Sequence, residues 1–108
     1  MKPLRQLRVG DATIEVDEHG FVQETERWND EVAAVLAAGE GVSELTAEHW
    51  RVVRYLRQHY LDFRVAPMIR KLCKQTGLTL KRIYELFPSG PAKGACKVAG
   101  LPNAKGCV

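Results

Sequence analysis

The sequence predicts a mainly α-helical fold: a small orthogonal helical bundle with an N-terminal β-hairpin and a flexible C-terminal arm. One apolar stretch of strand-like alternation lies near the start, and helical periodicity with capping residues fills the middle. Glycines and prolines interrupt residues 94–108. A chain of 108 residues suits one domain, which we divide into a hairpin at about 12–24, a helical part at 29–99 and a mobile arm at 100–108.

The hairpin is predicted from the stretch ATIEVDEHGFVQE. Ile14 and Val16 alternate with charged neighbours, which is typical of a strand with one buried face. Residues 17–20 have turn-forming composition, and Phe21 and Val22 would begin the returning strand. We therefore expect two paired strands on either side of residues 17–20.

Capping residues place the first two helices. Asn29 is a candidate N-cap for a helix through about Ala38, and Thr46 is one for the longest helix, AEHWRVVRYLRQHYLDF. At helical periodicity, one face of the longest helix is an apolar arc of Trp50, Val53, Leu56, Tyr60 and Phe63. The charged Arg57 is the exception, because it also lies on this arc.

Three further helices are expected in the second half of the chain. One begins near Pro67 and continues to about Gln75, where Gly77 stops it. The next is LTLKRIYELF, which Pro88 ends, and a short last helix is expected near 91–99.

The charge is divided unequally along the chain. Residues 1–50 hold four basic and eleven acidic side chains, a balance of −7, whereas residues 51–108 hold twelve basic and two acidic ones, a balance of +10. The sum is the net charge of +3. The second half is therefore expected to meet something anionic: a nucleic acid, an anionic sulfur species or an acidic protein face.

We expect a cytoplasmic location without membrane insertion. The start of the chain has no apolar run that could serve as the core of a signal peptide. The longest apolar stretch, VAAVLAA at 32–38, is too short to span a bilayer. In a reducing compartment, paired cysteines are more often redox-active or metal-binding than structural.

The final run, GACKVAGLPNAKGCV, contains two of the three cysteines. Cys96 and Cys107 are eleven positions apart, so the chain between them spans at most about 36–40 Å and can also fold back. Cys107 could therefore reach a partner and return to Cys96. Nearby cations would favour its thiolate, and the candidates are Lys93, Lys97 and Lys105.

Other interpretations of these residues remain open. Cys96 is equally well explained as a buried core residue, and Cys73 is expected to be a core or incidental residue. The cysteines and histidines have no zinc-binding spacing, so no metal and no cofactor are expected. His49, at a capped helix start, is expected to be structural.

A DNA-binding interpretation rests on residues 66–87. They could form two helices around a glycine-containing turn, with the charge and rough spacing of a helix-turn-helix. The basic residues expected to be exposed there are Arg70, Lys71, Lys74, Lys81 and Arg82. The alternative is an ordinary pair of helices with a solvated basic face.

Three segments carry a resemblance to a known family. LTAEHWRVVRYLRQHY, APMIRKL and LFPSGPAKGACKVAGLPNAKGCV closely resemble the family of the gamma subunit of dissimilatory sulfite reductase (DsrC) and its tRNA-thiolation relative TusE. The resemblance extends from about Ile14 to Val108, and the terminal run is its most specific part.

The resemblance implies a sulfur-carrying cosubstrate rather than a freestanding enzyme. It implies that Cys107 receives sulfur as a persulfide or enters the sulfite reductase site, and that Cys96 joins it in a trisulfide or disulfide. A membrane-bound or heterodisulfide-type reductase complex would then open that bond. The implied partners are dissimilatory sulfite reductase and sulfurtransferase relay proteins.

The presence of Cys96 favours the sulfite-reductase branch of the family, because a simple persulfide relay needs no second thiol. The alternatives are a persulfide relay for tRNA 2-thiouridine synthesis and, from another class, a DNA-binding regulator. Arg70 and Lys93 match family positions, and we hypothesise that they form, with Arg57, a cationic seat for the arm or its sulfur. The alternative is that Arg57 snorkels and Arg70 is merely solvated.

Overall fold

The computed structural model describes residues 5–17 and 20–101, apart from the side chains of Ala92 and Lys93. A mainly helical fold with an N-terminal antiparallel hairpin is confirmed. Its elements in chain order are β1 (Arg5–Val9), β2 (Ala12–Val16), a 3₁₀ turn (Thr25–Arg27), α1 (Asp30–Gly39), α2 (Ala47–Phe63), α3 (Ile69–Thr76), α4 (Leu80–Leu86), a π-helical turn (Pro91–Ala95) and α5 (Cys96–Val98).

The hairpin lies closer to the N-terminus than the predicted 12–24. β2 is the predicted first strand, but it pairs with β1, so that Leu7 lies opposite Ile14. Gly10 turns the chain with a φ of 59°, as at the first central position of a type II′ turn. The predicted return strand contributes a single isolated bridge, between Val16 and Val22.

The misplacement has a simple origin in the sequence. In β1, Leu7 and Val9 alternate with polar residues just as the apolar residues of β2 do. Gln6 and Arg8 make the segment look like a polar terminus, but a strand with one solvated face tolerates them.

The capping predictions are confirmed for α1 and α2. The Asn29 side chain accepts a hydrogen bond from the Val32 N–H at 3.0 Å. Thr46 and His49 form a capping box at the start of α2, in which the Thr46 N–H donates to His49 Nδ1 at 3.0 Å. The Asn29 cap satisfies a backbone donor of the first turn of α1, and the bond to His49 satisfies the backbone donor of the N-cap residue Thr46 itself.

His49 is structural, as predicted. Since Nδ1 accepts from Thr46, Nε2 carries the proton and donates to the Leu86 carbonyl at 2.8 Å. The ring also meets Phe87 edge to face, at 5.1 Å between centroids. The buried imidazole thereby joins the start of α2 to the end of α4.

The core surrounds the short last helix. Side chains from the hairpin, α1, α2 and α4 form one buried cluster with the residues of α5, and the buried face of α2 consists of His49, Val52, Val53 and Leu56. Phe63, at the end of the predicted apolar arc, is 60% exposed, because α2 continues past the core. The residues at and beside α5 that are completely buried are Ala95, Cys96, Val98, Ala99 and Leu101.

Candidate functional site

Cys96 begins α5, and its side chain is completely buried. Its backbone is held on both sides: the N–H donates to the Pro91 carbonyl across the π-helical turn, and the carbonyl accepts from the Leu101 N–H at 3.2 Å. Cys96 is disulfide-bonded, whereas Cys73 is a free cysteine packed against the core. Cys107, the other predicted sulfur-bearing residue, lies outside the described residues.

Residues 96–101, which we call the arm root, close α5 with a Schellman motif. Gly100 adopts a left-handed conformation, with a φ of 74°, and its N–H donates to the Lys97 carbonyl at 3.0 Å. The bond from Leu101 to Cys96 is the second, longer bond of that motif. Gly100 and Leu101 are therefore part of the packed domain, although both were assigned to the arm. Residues 102–108, the rest of the arm predicted at 100–108, lie outside the described residues.

Trp28 lies directly against the arm root. Its indole N–H donates to the Val98 carbonyl at 2.8 Å. A Cβ on Gly100 would lie 2.2 Å from Trp28 Cδ1, so only glycine allows the backbone to approach the ring this closely. Sequence reasoning missed this residue, because its contacts lie about seventy positions away in the chain.

Arg57 completes the contacts of the arm root from α2. Its guanidinium carbon lies 4.1 Å from the Trp28 ring centroid, and Nη1 donates to the Ala99 carbonyl at 2.7 Å. The same group donates to Thr25 twice, to Oγ1 at 3.1 Å and to the carbonyl at 3.2 Å. Burial lowers the pKa of the Arg57 guanidinium. The place of Arg57 on the apolar arc of α2 is thus explained by its hydrogen bonds to neutral oxygens of Thr25 and Ala99.

The structure does not show the three residues of the hypothesised cationic seat as one group. Arg57 faces Trp28, Thr25 and Ala99. Arg70 is exposed in the first turn of α3. Lys93 lies in the π-helical turn, and its side chain is outside the described part of the molecule. The seat therefore stays a prediction.

Lys97, one of the lysines expected to favour a thiolate, has another partner. Its Nζ donates to Glu40 Oε2 at 3.3 Å, and both side chains are only 15% exposed. The same Nζ lies 5.4 Å from the Phe21 ring centroid. Lys97 therefore connects α5 to the end of α1, and its predicted effect on a thiolate stays a prediction.

The basic face of α3 and α4 is only partly as predicted. Arg82 is half-buried and pairs with Glu48 on α2 and with Glu85. The hydrogen bond from Arg82 holds the pKa of the Glu48 carboxyl below its ordinary value. DNA binding stays a prediction that rests on the four exposed cations, Arg70, Lys71, Lys74 and Lys81.

The described residues hold neither a cluster of metal ligands nor a helix that could span a membrane. Residues 5–17 and 20–101 contain no group of three or more His, Cys, Asp or Glu side chains arranged to hold a metal ion. The helices within those ranges are all too short or too polar to cross a membrane.

The mainly helical fold of this chain matches solved structures. The oxidized gamma-subunit of the dissimilatory sulfite reductase (DsrC) from Archaeoglobus fulgidus superimposes with a TM-score of 0.85 at 45% sequence identity. The match covers 96% of this chain and 100% of that one.

Sequence comparisons agree with the structural match. The family model described as DsrC like protein matches residues 8–108. The gamma subunit of dissimilatory-type sulfite reductase from Nitratidesulfovibrio vulgaris is 46% identical over 96 residues, which are 89% of this chain and 91% of that protein. Sulfurtransferase TusE of Salmonella paratyphi A is 43% identical over 102 residues, 88% of this chain and 93% of the relative. The chain belongs to the DsrC-like family, the sulfur-carrier family of DsrC and TusE, which confirms the resemblance.

Proposed function

We propose that this protein carries sulfur on Cys107 and uses Cys96 as the resolving thiol. The observation that carries the proposal is the state of Cys96, which is buried, disulfide-bonded and fixed at the base of the tail. The chain has three cysteines and Cys73 is free, so Cys107 is the proposed disulfide partner of Cys96.

The reach of Cys107 supports a carrier that alternates between two positions. Leu101 is anchored, and six positions separate it from Cys107. Fully extended, this tether spans at most about 20–22 Å, enough to carry the thiol into a partner protein. A disulfide requires the two Cα atoms to approach within roughly 4.4–6.8 Å, which the same tether allows when it folds back.

The proposed chemistry has two balanced steps. In loading, the Cys107 thiolate attacks the outer sulfur of a donor persulfide, which leaves a persulfide on Cys107 and releases the donor as a thiolate. In resolution, the Cys96 thiolate attacks the inner sulfur of that persulfide, forming the Cys96–Cys107 disulfide and releasing hydrosulfide. Two electrons and two protons from an external dithiol reductant return both cysteines to thiols.

The proposed partner is dissimilatory sulfite reductase, with a disulfide reductase that regenerates the carrier. Its basis is the similarity to the gamma subunit of that enzyme, together with a second cysteine placed to resolve the first. In the variant of this cycle that retains the sulfur atom, the Cys96 and Cys107 thiols condense with a partly reduced sulfite at the oxidation level of S(OH)2, which gives the trisulfide and releases two waters. Sulfurtransferase relay proteins are the proposed source of sulfur.

A second candidate, a persulfide relay in tRNA thiolation, has one observation in its favour. The identity to TusE, 43%, is almost as high as the identity to the sulfite reductase subunit. The two functions make different demands on Cys96, because a relay passes the persulfide on without resolving it. A Cys96→Ser variant should keep relay activity and lose release of hydrosulfide.

Intact-mass spectrometry after incubation with polysulfide tests the proposal. The proteins are wild type, Cys107→Ser, Cys96→Ser and, as the matched control, Cys73→Ser. Each bound sulfur atom adds about 32 Da, and disulfide formation removes two hydrogens. We expect wild type and Cys73→Ser to reach the disulfide, Cys96→Ser to accumulate the persulfide, and Cys107→Ser to do neither. Equal loading of Cys107→Ser and wild type would contradict the proposal.

A further inference from the structure

We propose that Trp28 and Arg57 are positioning residues for the exchange between Cys107 and Cys96. Their contacts hold the arm root in place, so that the segment carrying Cys107 begins at a fixed point beside Cys96. The inference rests on the proposed function, because it concerns the return of Cys107 to its resolving thiol.

The two side chains act on groups that α5 cannot satisfy itself. The last carbonyls of a helix have no partner within the helix. Trp28 supplies a donor to Val98, and Arg57 supplies one to Ala99. The next residue, Gly100, is pressed against the indole ring so closely that a Cβ would overlap it. Val98, Ala99 and Gly100 are thus each contacted by a side chain from outside α5.

Trp28 and Arg57 belong to parts of the fold that lie far from the arm root in sequence. Arg57 belongs to α2 and is tied to the 3₁₀ turn through its two hydrogen bonds to Thr25. Trp28 follows that turn directly, and the Arg57 guanidinium stacks on its ring at 4.1 Å. A half-buried stacked pair with charge-assisted hydrogen bonds holds its geometry better than an exposed one.

The consequence for Cys107 follows from loop closure. With the arm root fixed, only the six positions from Leu101 to Cys107 must close on a point held beside Cys96. If the root unravels, the free segment grows to the eleven positions from Cys96 to Cys107. The three-halves power of this length ratio predicts roughly a 2.5-fold lower effective concentration of one thiol at the other. Loss of the fixed starting direction adds to that figure.

The test is the equilibrium of the full-length protein with glutathione. Reduced protein and oxidised glutathione exchange to give the Cys96–Cys107 disulfide and two reduced glutathiones, and acid quenching with intact-mass analysis gives the equilibrium constant. The variants are Trp28→Phe, which keeps an aromatic ring against Gly100 but removes the indole donor, and Arg57→Lys, which keeps the charge but removes the fork of donors.

The chain offers a matched control pair on α2. Arg54 also stacks on a tryptophan, Trp50, at 5.3 Å, and both residues belong to that one helix. Trp50→Phe and Arg54→Lys therefore repeat the chemical changes away from the arm root. Alkylation of Cys107 in a Cys96→Ser background measures its intrinsic reactivity separately.

We expect the equilibrium constant to fall in Trp28→Phe and Arg57→Lys, towards the roughly 2.5-fold loss of a fully unravelled root. It should stay unchanged in the two controls, and the alkylation rate of Cys107 should be the same in all proteins. Equal constants in all five proteins, or an equal fall in the controls, would overturn the positioning role. If wild type forms no Cys96–Cys107 disulfide at all, the proposed function itself fails, which is a distinct result.

Discussion

The ends of α2 and α5 have similar local geometry but very different surroundings. Each helix ends at a residue in the left-handed conformation, Arg64 with a φ of 61° and Gly100 with a φ of 74°. At the end of α2, a single bond closes the helix, from the Arg64 N–H to the Tyr60 carbonyl at 2.6 Å. At the end of α5, the paired bonds of the Schellman motif are covered by buried side chains.

Tertiary contacts account for the difference. The chain after Arg64 alternates between exposed and buried side chains, with Val65 at 50% and Met68 at 75% exposed, and Ala66 and Pro67 buried between them. The chain after Ala99 is covered by Trp28 at Gly100 and continues into the fully buried Leu101. Left-handed capping by itself therefore does not determine how a helix end is packed. At the end of α5, which precedes the proposed sulfur-bearing residue, Trp28 and Arg57 donate hydrogen bonds to the Val98 and Ala99 carbonyls.

Gly100→Ala should have the largest effect on this comparison. The added Cβ meets the Trp28 ring, and a non-glycine residue is strained at a φ of 74°, so we expect a loss of about 4 kcal/mol in the free energy of unfolding. Gly41→Ala is the matched control, because its φ is 84° and nothing lies within 4 Å of the new Cβ. We expect about 1 kcal/mol there. Equal losses in urea unfolding would show that Trp28 does not restrict Gly100.

Met68→Ser should stabilise the start of α3, which follows the end of α2 after a short connection, by about 1 kcal/mol. Met68 occupies the N-cap position of α3 without a side-chain hydrogen bond, and its exposed side chain contributes little burial. A serine hydroxyl there can accept from a backbone N–H of the first turn. Met68→Ala, which removes the same side chain without adding an acceptor, should leave the unfolding midpoint in urea almost unchanged. A gain in both variants would contradict the capping explanation.

Arg64→Gly should give the smallest effect, a gain of about 0.5 kcal/mol. Glycine relieves the left-handed strain at this position, and the greater freedom of the unfolded chain offsets part of that relief. Arg64→Ala keeps the Cβ and should show no gain in thermal unfolding. Neither change should alter the disulfide equilibrium of Cys96, since α2 ends far from the arm root in the chain. A shift in that equilibrium in either Arg64 variant would contradict the claim that the end of α2 does not influence Cys96.

Local chemistry made much of the fold predictable. The caps at Asn29 and Thr46 and the stop at Gly77 depend on neighbouring residues, so their residue types are sufficient evidence. The predicted position of the hairpin is wrong because two alternating segments could pair with β2, and local patterns do not decide which of them does. Periodicity places Phe63 on the apolar arc of α2, but it does not show where the core ends along the helix, and Phe63 is exposed.

The candidate site was predictable only in part. The tail cysteines and the unusual place of Arg57 on an apolar arc are visible in the sequence. The partners of Arg57 are not visible, because Thr25 and Ala99 lie about thirty and forty positions away. Gly100 was recognised as the end of regular structure, whereas its contact with Trp28 is a tertiary one that no local pattern records.

The π-helical turn before Cys96 gives the chain a length requirement as well as a composition requirement. Across Pro91–Ala95 the backbone bonds to the fifth residue back rather than the fourth, so this turn holds one residue more than an α-helical turn. Deleting one residue there would let an ordinary α-helix form, but it would rotate Cys96 by about 100° relative to the preceding chain. The sulfur atom would then point away from its buried position. Homologous sequences in which Cys96 serves as a thiol partner are therefore expected to keep the residue count of this turn even where its residue types change.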